Sequence, residues 1–171
     1  MAPNATTIPK HIVGLPLLVV GPVDVGRLAR ELETIDNQLL AVELRTKAPA
    51  TELPTMSQLL GQTVELNKLN LLVPAERKQL QELLALVKAQ APLLHISFSA
   101  DPNPAFTEKL MAWLRREIHP LVLLTIGLQP NLGAGCIVRS TNQYFDFSLR
   151  QDFLEKRELL MSKLTDQEPA A

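Results

Sequence analysis

What this sequence has little of narrows it first. One cysteine, Cys136, stands among 171 residues. That excludes an internal disulfide framework and any multi-cysteine metal site, and a lone thiol fits a reducing compartment. Aromatic residues make up only 4% of the chain and are not interleaved with a basic patch, so the stacking platforms used on single-stranded nucleic acid are missing. Charge of one sign is not in excess either. Seventeen basic residues against 18 acidic ones leave a net charge of −1, whereas a phosphate-neutralising protein concentrates Lys and Arg. No nucleic-acid partner is expected. Long hydrophobic runs are absent as well. The most apolar stretch, Ile12 to Val23, is broken by Gly14, Pro16, Gly21 and Pro22 and falls short of the roughly 20 apolar residues of a membrane span. The amino terminus lacks the basic start and unbroken apolar core of a secretory signal, so a soluble chain without direct membrane insertion is the expectation. Asn4-Ala5-Thr6 matches a glycosylation acceptor and is read as chance without such a signal.

Enough apolar material is present for a packed core, at 46% hydrophobic against 20% charged residues. Met1 to Lys10 reads as a loose arm, and His11 to Val20 as an edge strand or extended segment punctuated by Gly and Pro. From Val25 to about Thr46, Leu28, Leu32, Ile35, Leu39 and Val42 fall on one helical stripe, with Asp24 as the expected N-cap. The stripe lasts under three heptads, which suits packing inside the chain. After a loop from Lys47 to Leu53, Pro54-Thr55 opens a second helix, Thr55 and Gln58 having the spacing of a capping box. Its apolar side is Leu59, Leu60, Leu66 and Leu69, weakened by Gly61. Pro74 and Glu76 suit the first turn of a third helix, whose buried face is Leu80, Leu83, Leu84 and Val87 and which Pro92 closes. No internal repeat or low-complexity tract interrupts this order.

Past Pro92 the pattern changes. Leu93 to Phe98 reads as a strand. Asn103 and Pro104 have N-cap and first-turn character for a helix with Phe106, Leu110, Trp113 and Leu114 inward, ended by Pro120. Leu121 to Leu128 and Ala134 to Ser140 read as further strands, and Thr141-Asn142-Gln143 as a tight reversal into Tyr144-Phe145-Asp146. Ser148 with Gln151 forms another capping box, opening a terminal helix with Leu149, Phe153, Leu160 and Leu164 inward. The expected class is therefore α+β, a mainly helical region over 1–92 followed by a small β-α-β-β-α domain over 93–171.

That order, with the runs Leu132-Gly133-Ala134-Gly135-Cys136-Ile137-Val138-Arg139 and Phe145-Asp146-Phe147-Ser148-Leu149-Arg150, resembles the C-terminal domain of the ATP synthase delta subunit, the family of the oligomycin-sensitivity-conferring protein. The family pairs a Leu-x-Gly-Gly turn and a strand ending in Arg with Asp-x-Ser opening a helix. Leu132, Gly133, Gly135, Arg139, Asp146 and Ser148 carry the match, and the family's first motif glycine is Ala134 here. The resemblance covers roughly residues 93 to 164. It implies a non-catalytic peripheral-stalk subunit of a rotary F-type ATP synthase, with no cofactor and no metal. Such a subunit is cytoplasmic and peripheral to the inner (plasma) membrane through the complex. Its C-terminal module would hold the b-type stalk helices, and its N-terminal helices would touch the alpha-subunit amino termini of the catalytic head. The family's N-terminal half is a six-helix bundle, against about three helices and an apolar lead here. The E-type stalk protein of V-type ATPases, which ends in a similar Gly-rich strand and helix, is the alternative relative, and a free-standing interaction module the alternative role.

Each candidate for chemistry has a competing structural explanation. Gly21 to Leu28 lies where a phosphate-binding loop would, but Arg27 and Leu28 replace the required Lys and Ser or Thr, and Pro22 removes an amide donor. Cys136, His95, His119 and Asp146 could form a nucleophile, base and orienter; yet a thiol in an apolar strand usually packs, and His119 suits a helix C-terminus. Trp113 with Phe106 reads as core ahead of a ligand platform, and Arg115, Arg116 and Glu117 as a solvated face. The terminal helix differs. Phe153 and Leu154 are adjacent, as are Leu159 and Leu160, so one face cannot bury all four. They form a candidate docking strip for a partner helix unless the N-terminal helices cover it.

Overall fold

Leu28, Leu32, Ile35 and Leu39 recur at steps of three and four, which places them on one face of a helix. In the computed structural model, which describes residues 14–165, all four are buried on α1 (Pro22–Thr46), with Val25 extending the face. The readings of Met1 to Lys10, and of His11 to Val13, lie outside the described residues. Gly21, not Asp24, is the N-cap of α1 and Pro22 takes the first helical position. Asp24 sits one turn inside, where its carboxylate accepts the amides of Val20 and Gly21, both at 3.1 Å. Val42, placed on the stripe, is 45% exposed. A 3.5-residue pattern drifts by about 20° per heptad on a straight helix, and the 25-residue α1 outruns the 17-residue α3 on which it packs.

α2 (Gln58–Asn67) starts two residues later than Thr55 would have it. Ser57 is the cap, its Oγ accepting the Leu60 amide at 3.2 Å. The Glu31 carboxylate on α1 selects that residue by accepting both the Ser57 amide and its hydroxyl. Leu60 is buried while Leu66 is 39% exposed. α3 (Pro74–Gln90) buries the expected Leu80, Leu83, Leu84 and Val87. Arg77 is buried with them, donating to the Asp36 carboxylate of α1 and to the Leu71 carbonyl at 2.8 Å. Leu15, Val19, Leu71, Leu121 and Leu123 complete this core.

The chain divides into two compact units, 14–93 with 105–124 and 94–104 with 125–165. In the first, the lead segment from Gly14 to Val20, read as an edge strand or extended, holds no strand and turns at Leu17–Leu18, where the Val19 amide donates to the Pro16 carbonyl at 2.9 Å; Val20 accepts the Leu124 amide through its carbonyl. Two clamps fix it. Asn67 exchanges hydrogen bonds with both main-chain groups of Gly14, at 3.1 and 3.0 Å. The Arg115 guanidinium donates to the carbonyls of Leu15, Pro16 and Val19 at 2.5–2.8 Å. Arg115 belongs to α4 (Pro104–Glu117), which begins at the expected proline. Its buried residues are Met111 and Leu114, whereas Phe106 and Trp113, read as core, are 46% and 50% exposed. Two apolar stripes compete on this helix, and the one shared by Met111, Leu114 and Arg115 turns inward because the guanidinium must reach the lead carbonyls. Arg115 is thus not part of a solvated face, unlike the exposed Arg116–Glu117 pair at 2.7 Å.

The sheet has the order β2-β1-β3-β4, with β1 (Leu93–Phe98), β2 (Leu123–Leu128), β3 (Gly135–Arg139) and β4 (Tyr144–Ser148). Leu123 donates to Pro92 and Gln129 to Phe98, the same sequence offset at both ends, so β1 and β2 run parallel. β3 is antiparallel to β1 and to β4. β2 and β3 are consecutive but not neighbours, because β1 lies between them. The fold is α+β with a mixed sheet, as anticipated, and it adds β4 where only the exit of a reversal was read. Ser148 ends β4 opposite Gly135 instead of capping a helix. Leu149 is the N-cap of α5 (Arg150–Glu155), and Gln151 bonds Glu155 at 3.1 Å instead of returning to Ser148. The terminal helix breaks at Lys156 and resumes as α6 (Arg157–Thr165). Among the described residues, no helix is long and apolar enough to cross a membrane.

Candidate partner-binding surface

The Leu132 to Arg139 run is built around two positive-φ glycines, Gly133 at +70° and Gly135 at +89°, with Leu132 buried beside them and a 3₁₀ turn at Pro130–Leu132. Only glycine enters these regions without strain. At Gly135 a Cβ would also collide with the Phe147 carbonyl oxygen, and at Gly133 it would lie 3.9 Å from the Phe153 ring of α5. Both glycines are therefore structural. Arg139, at the far end of β3, stacks its guanidinium 5.2 Å from the Tyr144 ring centroid.

Asp146 closes the hairpin's outer side. The bond from the Ser140 amide to the Gln143 carbonyl sets an alternation that turns the main-chain groups of Tyr144, Asp146 and Ser148 away from β3. Asp146 accepts the Ser148 amide at 2.9 Å. Bonds from the Ser148 hydroxyl and amide, aided by the Arg150 charge, hold its carboxyl below the usual carboxylate range. A carboxylate on an outermost strand blunts that edge against strand addition, so a partner must be met through side chains.

Residues opposite each other across strands share a face. Cys136 and Val138 align with Phe147 and Phe145 of β4 and with Phe98 and Ile96 of β1, an apolar row. His95, Ser97, Arg139, Tyr144 and Asp146 fall on the opposite face. The pleat therefore separates Cys136 from His95 and Asp146, and burial, then the Asp146 charge, pushes the thiol pKa up. That is the reverse of what a nucleophile requires. His95 lies 3.3 Å from the Ser97 hydroxyl, and His119 uses Nδ1 to accept the Leu121 amide at 3.1 Å. At Gly21 the amides a phosphate would seek are taken by Asp24, itself an anion. Among the described residues, no group of three or more His, Cys, Asp or Glu could hold a metal ion.

What stands out instead is exposed apolar surface. Phe145 and Phe147 stack at 6.1 Å between centroids with their planes 14° apart, yet stay 45% and 60% exposed. Leu149 follows, then Phe153 and Leu154 on α5 and Leu159 and Met161 on α6, all exposed. Leu160 and Leu164 lie on α6, their side chains outside the described set. Phe153, Leu154 and Leu159 thus reach solvent on two short helices, and β4 adds exposed Phe145 and Phe147, which periodicity had not marked. The signal for it was in the sequence: Phe145 and Phe147 alternate with polar residues, as strand residues do. Compared with protein-family models and with curated proteins, the chain matches none.

Proposed function

We propose that this chain is a non-catalytic, delta-like peripheral-stalk subunit of a rotary F-type ATP synthase, joining the catalytic head to b-type stalk helices. The reading starts from the family resemblance over residues 93 to 164. One structural observation carries it. From Phe145 to Met161 seven large apolar side chains remain 45–60% exposed on a hairpin and two helices. Monomers rarely leave such a patch uncovered, and it is the kind of surface into which an amphipathic helix lays its apolar face. A stator resists torque, so many shallow contacts spread along a strip serve it better than one deep pocket. The unstrained positions on α5 and α6 would bind, while the glycine-dependent hairpin would hold them in place.

The test is purification of the tagged full-length chain from its own cells in mild detergent, with co-purifying subunits identified by mass spectrometry. Catalytic-head and b-type subunits in fixed proportion are expected. Recovery of the chain by itself overturns the reading.

A further inference from the structure

We infer that the helical unit carries a second docking site, a cleft for a short apolar segment flanked by Lys or Arg side chains. The cleft holds about 560 Å³, within the roughly 300–1,000 Å³ usual for ligand-holding clefts. Its floor is the outward side of the lead segment, Pro16, Leu17 and Leu18, together with Leu66 of α2. Leu18 is 51% and Leu66 39% exposed, so the floor is apolar and open. Its walls are Gln62 and Glu65 on α2 and Glu108 on α4.

Two features separate this cleft from a chance depression. The lead-segment part of its floor belongs to no helix or strand, yet it is anchored at several points. Asn67 clamps Gly14 on one side, and Arg115 holds three carbonyls from beneath, while Leu15 and Val19 are buried in the core. Those anchors turn Leu17 and Leu18 outward and keep the floor preorganised, which lowers the entropy lost on binding. The charge at its walls is also one-sided and uncompensated. Glu65 and Glu108 are exposed and enter no ion pair among the described residues, and no basic side chain lines the cleft. An apolar floor between two unpaired carboxylates complements leucine-like side chains with a cation to either side. It repels an acidic segment of the same shape.

The test pans a displayed library of short random peptides on the full-length protein and on the E65K/E108K variant. Sequences combining Leu, Ile or Phe with Lys or Arg are expected on the wild type. They should bind it about tenfold more tightly than E65K/E108K, since two attractions become repulsions, and L18D should weaken them comparably. All three positions are exposed, so helicity by circular dichroism should not change. Should a variant fold poorly, salt provides a second measure: going from about 0.05 to about 0.5 M must weaken binding to the wild type. No enrichment, acidic or neutral winners, undiminished binding by E65K/E108K, or a Leu18-dependent dimer in sedimentation overturns the inference. The cleft uses no residue of the hairpin or terminal helices. Failure here therefore leaves co-purification of stalk subunits unaffected, and failure of that reading leaves peptide binding measurable.

Discussion

At Gly135 the backbone holds φ at +89°, and an added Cβ would run into the Phe147 carbonyl oxygen and approach the Ser148 Cα to 2.9 Å. Gly135→Ala should therefore destabilise the protein by about 2–3 kcal/mol, strain and collision adding, read as a lower urea midpoint. Gly26 makes the opposite case. It lies inside α1 with nothing within 4 Å of a Cβ, so Gly26→Ala should stabilise by about 0.5–1 kcal/mol. Both glycines are visible in the sequence; which one is required depends on a φ angle and a neighbour the sequence does not show. Cys136 should alkylate slowly at mildly alkaline pH, because its raised pKa leaves less thiolate than a free cysteine has, and a slower iodoacetamide rate than for free cysteine in the same buffer checks this. Asp146 shifts the other way. Its folded pKa is depressed, so its hold on Ser148 is present at neutral pH and is lost as pH falls through that lowered value. The Ser148 amide resonance should titrate with a midpoint below the ordinary carboxylate range.

Among the elements, α3 buried the four apolar residues of its expected stripe against α1, and Arg77 with them. α4 did not. Of the expected Phe106, Leu110, Trp113 and Leu114, only Leu114 is buried, and it turns inward with Met111 on the side from which Arg115 donates to three lead-segment carbonyls. Desolvation lowers Arg115 to about 10, which leaves it cationic at neutral pH. Arg115→Met should remove the donor it supplies to the Leu15 and Val19 carbonyls, Pro16 keeping the Val19 amide, and destabilise by about 2–3 kcal/mol, seen as a lower Tm. If Arg115→Met melts like the wild type, the clamp is incidental. The caps were shifted in a similar way. Thr55, Ser57, Asp24 and Ser148 all have cap chemistry, and the winner was decided by tertiary partners, Glu31 for Ser57 and the hairpin register for Ser148. Capping side chains are local signals, but several residues in a short window can send them.

For the molecule as a whole, the exposed strip of the hairpin and terminal helices bears directly on the proposed role. L154D combined with L159D should change stability by less than about 0.5 kcal/mol, since both side chains are already in solvent. The same variant should lose its stalk subunits on purification, so retained association would move the interface elsewhere. By itself the sequence determined the class, α+β, and the three helices before Pro92, because these rest on short-range spacing. It also determined that four apolar residues on the last helix could not share one face. Tertiary structure decided the order β2-β1-β3-β4, the turning of Trp113 outward and Arg115 inward, and the shape of the acidic cleft. Those outcomes depend on pairings and carbonyl partners distant along the chain, whose energies no local pattern records.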